Sequence, residues 1–215
     1  MDAAKVAVAL VVVALATAGT ISARGPAGFA GLRNGTPDGW VGTGTRPQDY
    51  RVTIANDSAF DGGATAHLRG RTSHTNDFGT LMQSISARHY RGQRVRFAGQ
   101  IRIENVINAA ALWLRADDAC GRVLTFDSTE QHSDRGTAGW RTHTVVFDVP
   151  ADAQNLYFGT LVVGSGDAWI RDLHLEVVGN AVPVTAAPFA SQRCSTPAVG
   201  EFRQLEPRNL DFTQG

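Results

Sequence analysis

Trp113 and Arg115 stand two positions apart in the run AALWLRADD. That spacing puts two side chains on one face of a β-strand. If Leu112 and Leu114 fill a core, the indole of Trp113 lies on the outer face of its sheet. There an aromatic ring can stack on a sugar, and a neighbouring Arg or Gln can bind hydroxyls. Strand parity adds Gln83 and Asp127 as neighbours, so Trp113, Arg115, Gln83 and Asp127 form the candidate ligand site. The opposite assignment, with Trp113 in the core and the leucines facing out under a loop, stays open on the residues alone. Asp61 and Asp172, with carbonyls of a glycine-rich lead-in, are the candidate ligands of a structural Ca²⁺, an ion that takes several hard oxygens from loops. Cys120 and Cys194 are either a disulfide, as an exported chain can keep, or two unrelated thiols. Without a CxxC pattern or a nearby His pair they do not read as a metal site.

The residue types needed for catalysis do not assemble. Ser165 sits in VGSGD, which is not the G-x-S-x-G of a nucleophile elbow. Gly42-Thr43-Gly44 lacks the Lys and the helix start of a phosphate-binding loop. The histidines show no HExxH spacing. Asp117 and Asp118 are adjacent at a strand end, so their carboxylates point apart and suit a turn better than acid–base work. No cofactor is expected beyond the calcium. The 20 basic residues balance the 20 acidic ones, which leaves no electrostatic footprint for nucleic acid. The expected role is binding, of a carbohydrate or of another protein domain.

The elements that must position these residues are strands. From Arg94 to Arg115 the chain reads as two neighbouring strands joined by a short turn near Asn105–Asn108. Val95, Phe97, Ile101 and Ile103 share one parity, and Arg94, Arg96, Gln100, Arg102 and Glu104 the other. Further strands are expected over Tyr50 to Ala55, Ala64 to Arg71, Phe78 to Ser86, Arg122 to Asp127 and Arg141 to Val149. Asn155 to Val163 is almost continuously apolar and should be a central strand covered on both faces. Gly164 to Asp167 reads as a hairpin turn into a closing strand, Ala168 to Val178, with Trp169, Leu173, Leu175 and Val177 on one parity. Trp140 and Trp169 are read as core or edge packing. The count of roughly eight or nine short strands and no amphipathic helix predicts an all-β antiparallel sandwich of jelly-roll type.

The ends differ in composition. Lys5 followed by VAVALVVVALATAG makes residues 1–23 a signal peptide or, if uncleaved, a membrane anchor. Either reading sends the protein out of the cytoplasm, to the periplasm or the exterior, with membrane contact only through that segment. The sandwich is expected over residues 24–178. Residues 179–215 are Pro/Ala-rich and resemble a linker ending in an NLDF motif, which either begins a further module or packs back on the sandwich.

The segments FGTLMQSISARHYRGQRVRFAGQI, AALWLRADD, LTFDSTEQHSDRGTAGWRTHTVVFDVPADAQNLYFGTLVVGSGDAWIRDL and the terminal NLDF together resemble a bacterial carbohydrate-binding-like β-sandwich module with a galactose-binding-like jelly roll. That module occurs ahead of tail-specific serine protease or erythromycin-esterase-like domains and attached to some transcriptional regulators. The resemblance implies an exported, non-catalytic ligand-binding module, or an accessory domain of a larger hydrolase or regulator system. The chain departs from the family pattern at Ser128-Thr129 and at Arg171-Asp172.

Overall fold

The computed structural model describes residues 35–56, 63–132, 135–189 and 194–214. The expected signal or anchor segment, residues 1–23, and Asp61 lie outside them.

Among the described residues ten strands form two antiparallel five-stranded sheets packed face to face. One sheet, here the front sheet, has the order β1-β4-β9-β6-β7. It comprises β1 (Val41–Gly44), β4 (Phe78–Ser86), β9 (Asn155–Val163), β6 (Ala109–Asp117) and β7 (Val123–Ser128). The back sheet has the order β2-β3-β10-β5-β8, with β2 (Tyr50–Asn56), β3 (Ala64–Gly70), β10 (Gly166–Val178), β5 (Arg94–Val106) and β8 (Gly136–Asp148). From β3 onward consecutive strands lie in opposite sheets, except for the neighbours β6 and β7. Among the described residues the only helical turns are Pro47–Asp49 and Thr129–His132.

The alternation in β5 does what period-2 patterning requires. Val95, Phe97, Ile101 and Ile103 are buried between the sheets, while the polar set faces away. They meet Leu81, Ile85, Leu112, Leu114, Leu156, Phe158 and Val162 of the front sheet. β9 is central and buried at all nine positions, as its unbroken apolar run predicts.

Three expectations are corrected. β5 and β6 are not paired neighbours: Ile107 and Asn108 carry the chain from the back sheet to the front one. The stretch Gly164–Ser165 is likewise a corner between sheets rather than a hairpin, with Gly164 N–H on Asp77 O (2.7 Å) and the Ser165 carbonyl accepting Ile107 N–H (3.0 Å). A two-residue link is as short as a hairpin loop, so loop length alone does not tell the two apart. Finally, the tail is not a free linker. Phe212 is buried in the main core beside Trp40, with ring centroids 5.3 Å apart. Trp40 Nε1 donates to Asn209 O at 3.0 Å. Arg94 donates to the carbonyls of Asn180 (2.8 Å) and Val182 (2.7 Å), and Phe189 N–H to Leu124 O (2.7 Å). The described part of residues 179–214 contains no strand, which is why alternation does not reveal it. Its packing rests on a few apolar side chains and on side-chain bonds to its backbone.

Candidate ligand-binding faces

On the outer face of the front sheet Trp113 stands opposite Gly159, Arg115 opposite Tyr157 and Phe126, and Asp117 opposite Asn155. Trp113 does face away from the main core, since Leu112 and Leu114 fill it. Yet Trp113 is only 1% exposed. It belongs to a second apolar cluster with Phe78, Ala111, Tyr157 and Leu161, against which Phe202 of the tail packs, and its indole N–H donates to Thr80 Oγ1 at 2.9 Å. A ring enclosed in this way offers no face to a sugar. Arg115 is buried too, with Nη2 on Asp117 Oδ2 at 2.7 Å and the guanidinium carbon 4.6 Å from the Tyr157 ring centre. Burial pushes the Asp117 carboxyl up to about 6, against the opposing pull of Arg115. Burial, and then the charge of Asp117, pushes the Tyr157 hydroxyl up to about 12.

Gln83 and Asp127 are not neighbours of Trp113. Gln83 pairs with Phe158 and Asp127 with Leu114, so both share the core side of the front sheet. Gln83 is spent on the tail: its Nε2 donates to Arg208 O, and its Oε1 accepts Arg208 N–H (3.0 Å). Asp127 Oδ1 accepts Ser128 N–H at 2.9 Å. The proposed foursome thus divides into a buried pair on one face and two unrelated residues on the other. The parity count placed Gln83 wrongly because it did not fix which face of β4 carries the core.

Cys120 and Cys194 are joined by a disulfide, with Cα atoms 5.7 Å apart across a separation of 74 residues. Asp118 builds the turn beside it: Oδ1 accepts the N–H groups of Cys120 and Arg122, both at 2.9 Å, and Oδ2 takes the Arg122 guanidinium. Asp117 and Asp118 therefore serve two different arginines. The carboxylate of exposed Asp172 lies 3.6 Å from Arg171 Nε; Asp61, the other expected calcium ligand, lies outside the described residues.

The outer face of the back sheet carries a feature that the sequence reading missed. Thr53, His67, Trp169 and Arg102 stand side by side on four neighbouring strands. The His67 ring lies parallel to Trp169 at 4.5 Å, and the Arg102 guanidinium carbon sits 4.0 Å from the indole centre. His67 Nε2 meets Asp167 Oδ1 at 2.7 Å, and Arg69 Nε approaches the same oxygen at 3.3 Å. One register step along, Arg171 Nε donates to Gln100 Oε1 (3.0 Å), and its guanidinium lies 4.3 Å from the Trp140 ring centre. Both tryptophans are half-buried. Trp169 faces outward while Leu173 and Leu175 face inward because β10 carries a bulge between Arg171 and His174, with Asp172 at φ 52°. The extra residue flips the parity. The signal was present in the odd spacing from Ile170 to Leu173, both of which are core residues.

These features define an all-β, two-sheet antiparallel sandwich with one sealed and one half-open outer face. No family model matches the chain. Over 177 residues it is 30% identical to an uncharacterised HTH-type transcriptional regulator, YbfP, of Bacillus subtilis (strain 168). That alignment covers 82% of this chain and 57% of the regulator, so the chain spans little more than half the length of this relative. Among solved structures it is similar to the C-terminal family 22 carbohydrate-binding module of Clostridium thermocellum Xyn10B, with 15% identity, TM-score 0.46 and coverage of 68% of this chain and 89% of that one. A xylan-binding CBM22-1 domain of Paenibacillus barcinonensis Xyn10C is similar at 14% identity and TM-score 0.45, covering 67% of this chain and 89% of that one.

Proposed function

We propose that the chain is a non-catalytic jelly-roll module, exported through its N-terminal segment, that binds a carbohydrate on the outer face of the back sheet. The observation that supports this reading is the row Thr53–His67–Trp169–Arg102 with its neighbours Asp167, Gln100, Arg171 and Trp140. Trp169, stacked on His67 and beside the Arg102 guanidinium, and Trp140, beside Arg171, are each half-exposed, and carboxylate, amide and guanidinium groups stand next to them. Apolar surface interleaved with oriented donors and acceptors is what a pyranose, with its C–H faces and equatorial hydroxyls, pairs with. The ion pairs already present hold the polar groups in place before a ligand arrives, which lowers the cost of ordering them.

Affinity electrophoresis against a panel of soluble polysaccharides tests this. Trp169→Ala and Arg102→Ala should each weaken retardation at least tenfold while circular dichroism and the melting temperature stay near wild type. Retardation by no polysaccharide, or retardation indifferent to both substitutions, rejects the reading. The likeness to a longer regulator favours a second reading, in which the sandwich is an accessory interaction domain of a larger regulator system.

A further inference from the structure

The tail crosses the ends of β4 and β9 in a manner that resembles a bound peptide more than a structural element. Asn155 clamps its backbone from both sides: Nδ2 donates to Gly200 O at 3.0 Å, and Oδ1 accepts Phe202 N–H at 2.9 Å. Gln154 Nε2 donates to Val199 O, Ser86 N–H to Gln204 O at 2.7 Å, and Gln83 grips both backbone groups of Arg208. These are backbone contacts, blind to side-chain identity. The side chains of the tail are read as well: Gln204 Nε2 donates to Gln83 Oε1 at 3.1 Å, and two acids are bound. The Glu201 carboxylate accepts Ser86 Oγ (2.6 Å), Arg88 Nη2 (2.8 Å) and Arg91 Nη2 (3.3 Å). The Glu206 carboxylate meets His89 Nδ1 and accepts the Tyr90 hydroxyl, both at 2.6 Å. Between them Phe202 stands edge-on to Tyr157, with centroids 5.6 Å apart at 86°.

We propose that this groove is a docking site for an extended peptide with two acidic side chains five residues apart and an aromatic residue after the first, and that residues 199–208 are its intramolecular occupant. Charge complementarity selects the partner: Arg88, His89 and Arg91 line a basic rim that faces both acids. The segment adds no strand to either sheet, so its departure breaks no ladder. Its departure would, however, strip the fully buried amides of Asn155 and Gln83 of their partners. These amides are buried while a peptide covers them and are open to water once it leaves, so the occupant can be exchanged without leaving a buried group unpaired. A peptide in trans competes with a tethered segment at high effective concentration; binding is therefore weak in the wild-type chain and gained when the tail is weakened. The groove lies on the front sheet, away from the proposed carbohydrate face, so either proposal can fail without the other.

The test uses the full chain and a fluorescein-labelled peptide TPAVGEFRQLEPRNLDF, read by anisotropy. A chain carrying Glu201→Lys and Glu206→Lys should bind this peptide at least tenfold more tightly than the wild type. The peptide with the same two lysines should bind that chain at least tenfold more weakly than the acidic one. Equal binding of the two peptides, or binding of neither, overturns the proposal. If the double variant does not fold, hydrogen exchange on the wild type decides. Phe202 N–H exchanging at least a hundredfold faster than the amides of β9 supports an exchangeable occupant, and exchange at the β9 rate overturns it.

Discussion

The orientation of Trp113 depends on its neighbours, and its burial depends on what lies above the sheet. Leu112 and Leu114 fill the core and send the indole outward, a choice that alternation alone leaves open because it does not say which face carries the core. What closes over it is not legible either: Phe202 of the tail joins the cluster around it from 89 positions away in the chain, and no local pattern announces such a contact. The consequence is a prediction at this one side chain. Trp113→Ala removes a fully buried ring and leaves Thr80 Oγ1 without its donor, and large-to-small changes at such sites cost about 3–5 kcal/mol. Chemical denaturation should show that loss. Trp113→Phe should cost clearly less, because it keeps most of the volume. A Trp113→Ala protein as stable as the wild type would mean the ring is not enclosed.

At the scale of the strand, β10 shows where reading by parity breaks. Residues 166–171 alternate in one phase and 174–178 in the other, and Asp172 at φ 52° absorbs the slip. A left-handed backbone suits Gly, Asn and Asp and penalises β-branched residues. Asp172→Gly should therefore leave the melting temperature within a degree or two of wild type, whereas Asp172→Val should destabilise by about 1–2 kcal/mol. Equal melting temperatures for the two variants would count against a bulge set by that residue. The other strands were readable where their apolar residues keep one phase over most of their length, as in β5 from Val95 to Ile103. β5 alternates cleanly on its core face, and β9 is apolar throughout because both its faces are covered. Sheet membership was not readable, since a two-residue corner and a two-residue hairpin use the same small residues. The ladder of Trp169, His67 and Arg102 was lost for a related reason: its members come from three strands distant in sequence, and their adjacency exists only once the strand order is known.

For the whole molecule, two sets of carboxylates pull stability in opposite directions with pH. Asp117 keeps its proton to about pH 6 in the folded chain because burial disfavours its charge, whereas the unfolded chain releases it near the ordinary value of 3.8. The folded state thus binds more protons between these values, so stability falls as pH rises through that window, by at most about 3 kcal/mol for one group. Glu201 and Glu206 behave in the reverse sense. Hydrogen bonds first from Ser86 and Arg88, and from His89 and Tyr90, hold their carboxyls below the usual range. Their contribution is present above the unfolded value of 4.5 and is lost on acidification. Both glutamates are near the surface, so their share is modest. For these three groups the sum is a stability maximum in mildly acid solution, with a fall toward neutrality from Asp117 and a shallower fall toward strong acid from Glu201 and Glu206. Urea unfolding at pH 5 and pH 7 should show the wild type weaker at pH 7. Asp117→Asn, which cannot ionise, should show no such drop between the two, even though losing the Arg115 partner lowers its stability at both. An identical drop in wild type and variant would assign the pH dependence elsewhere and remove Asp117 from the account.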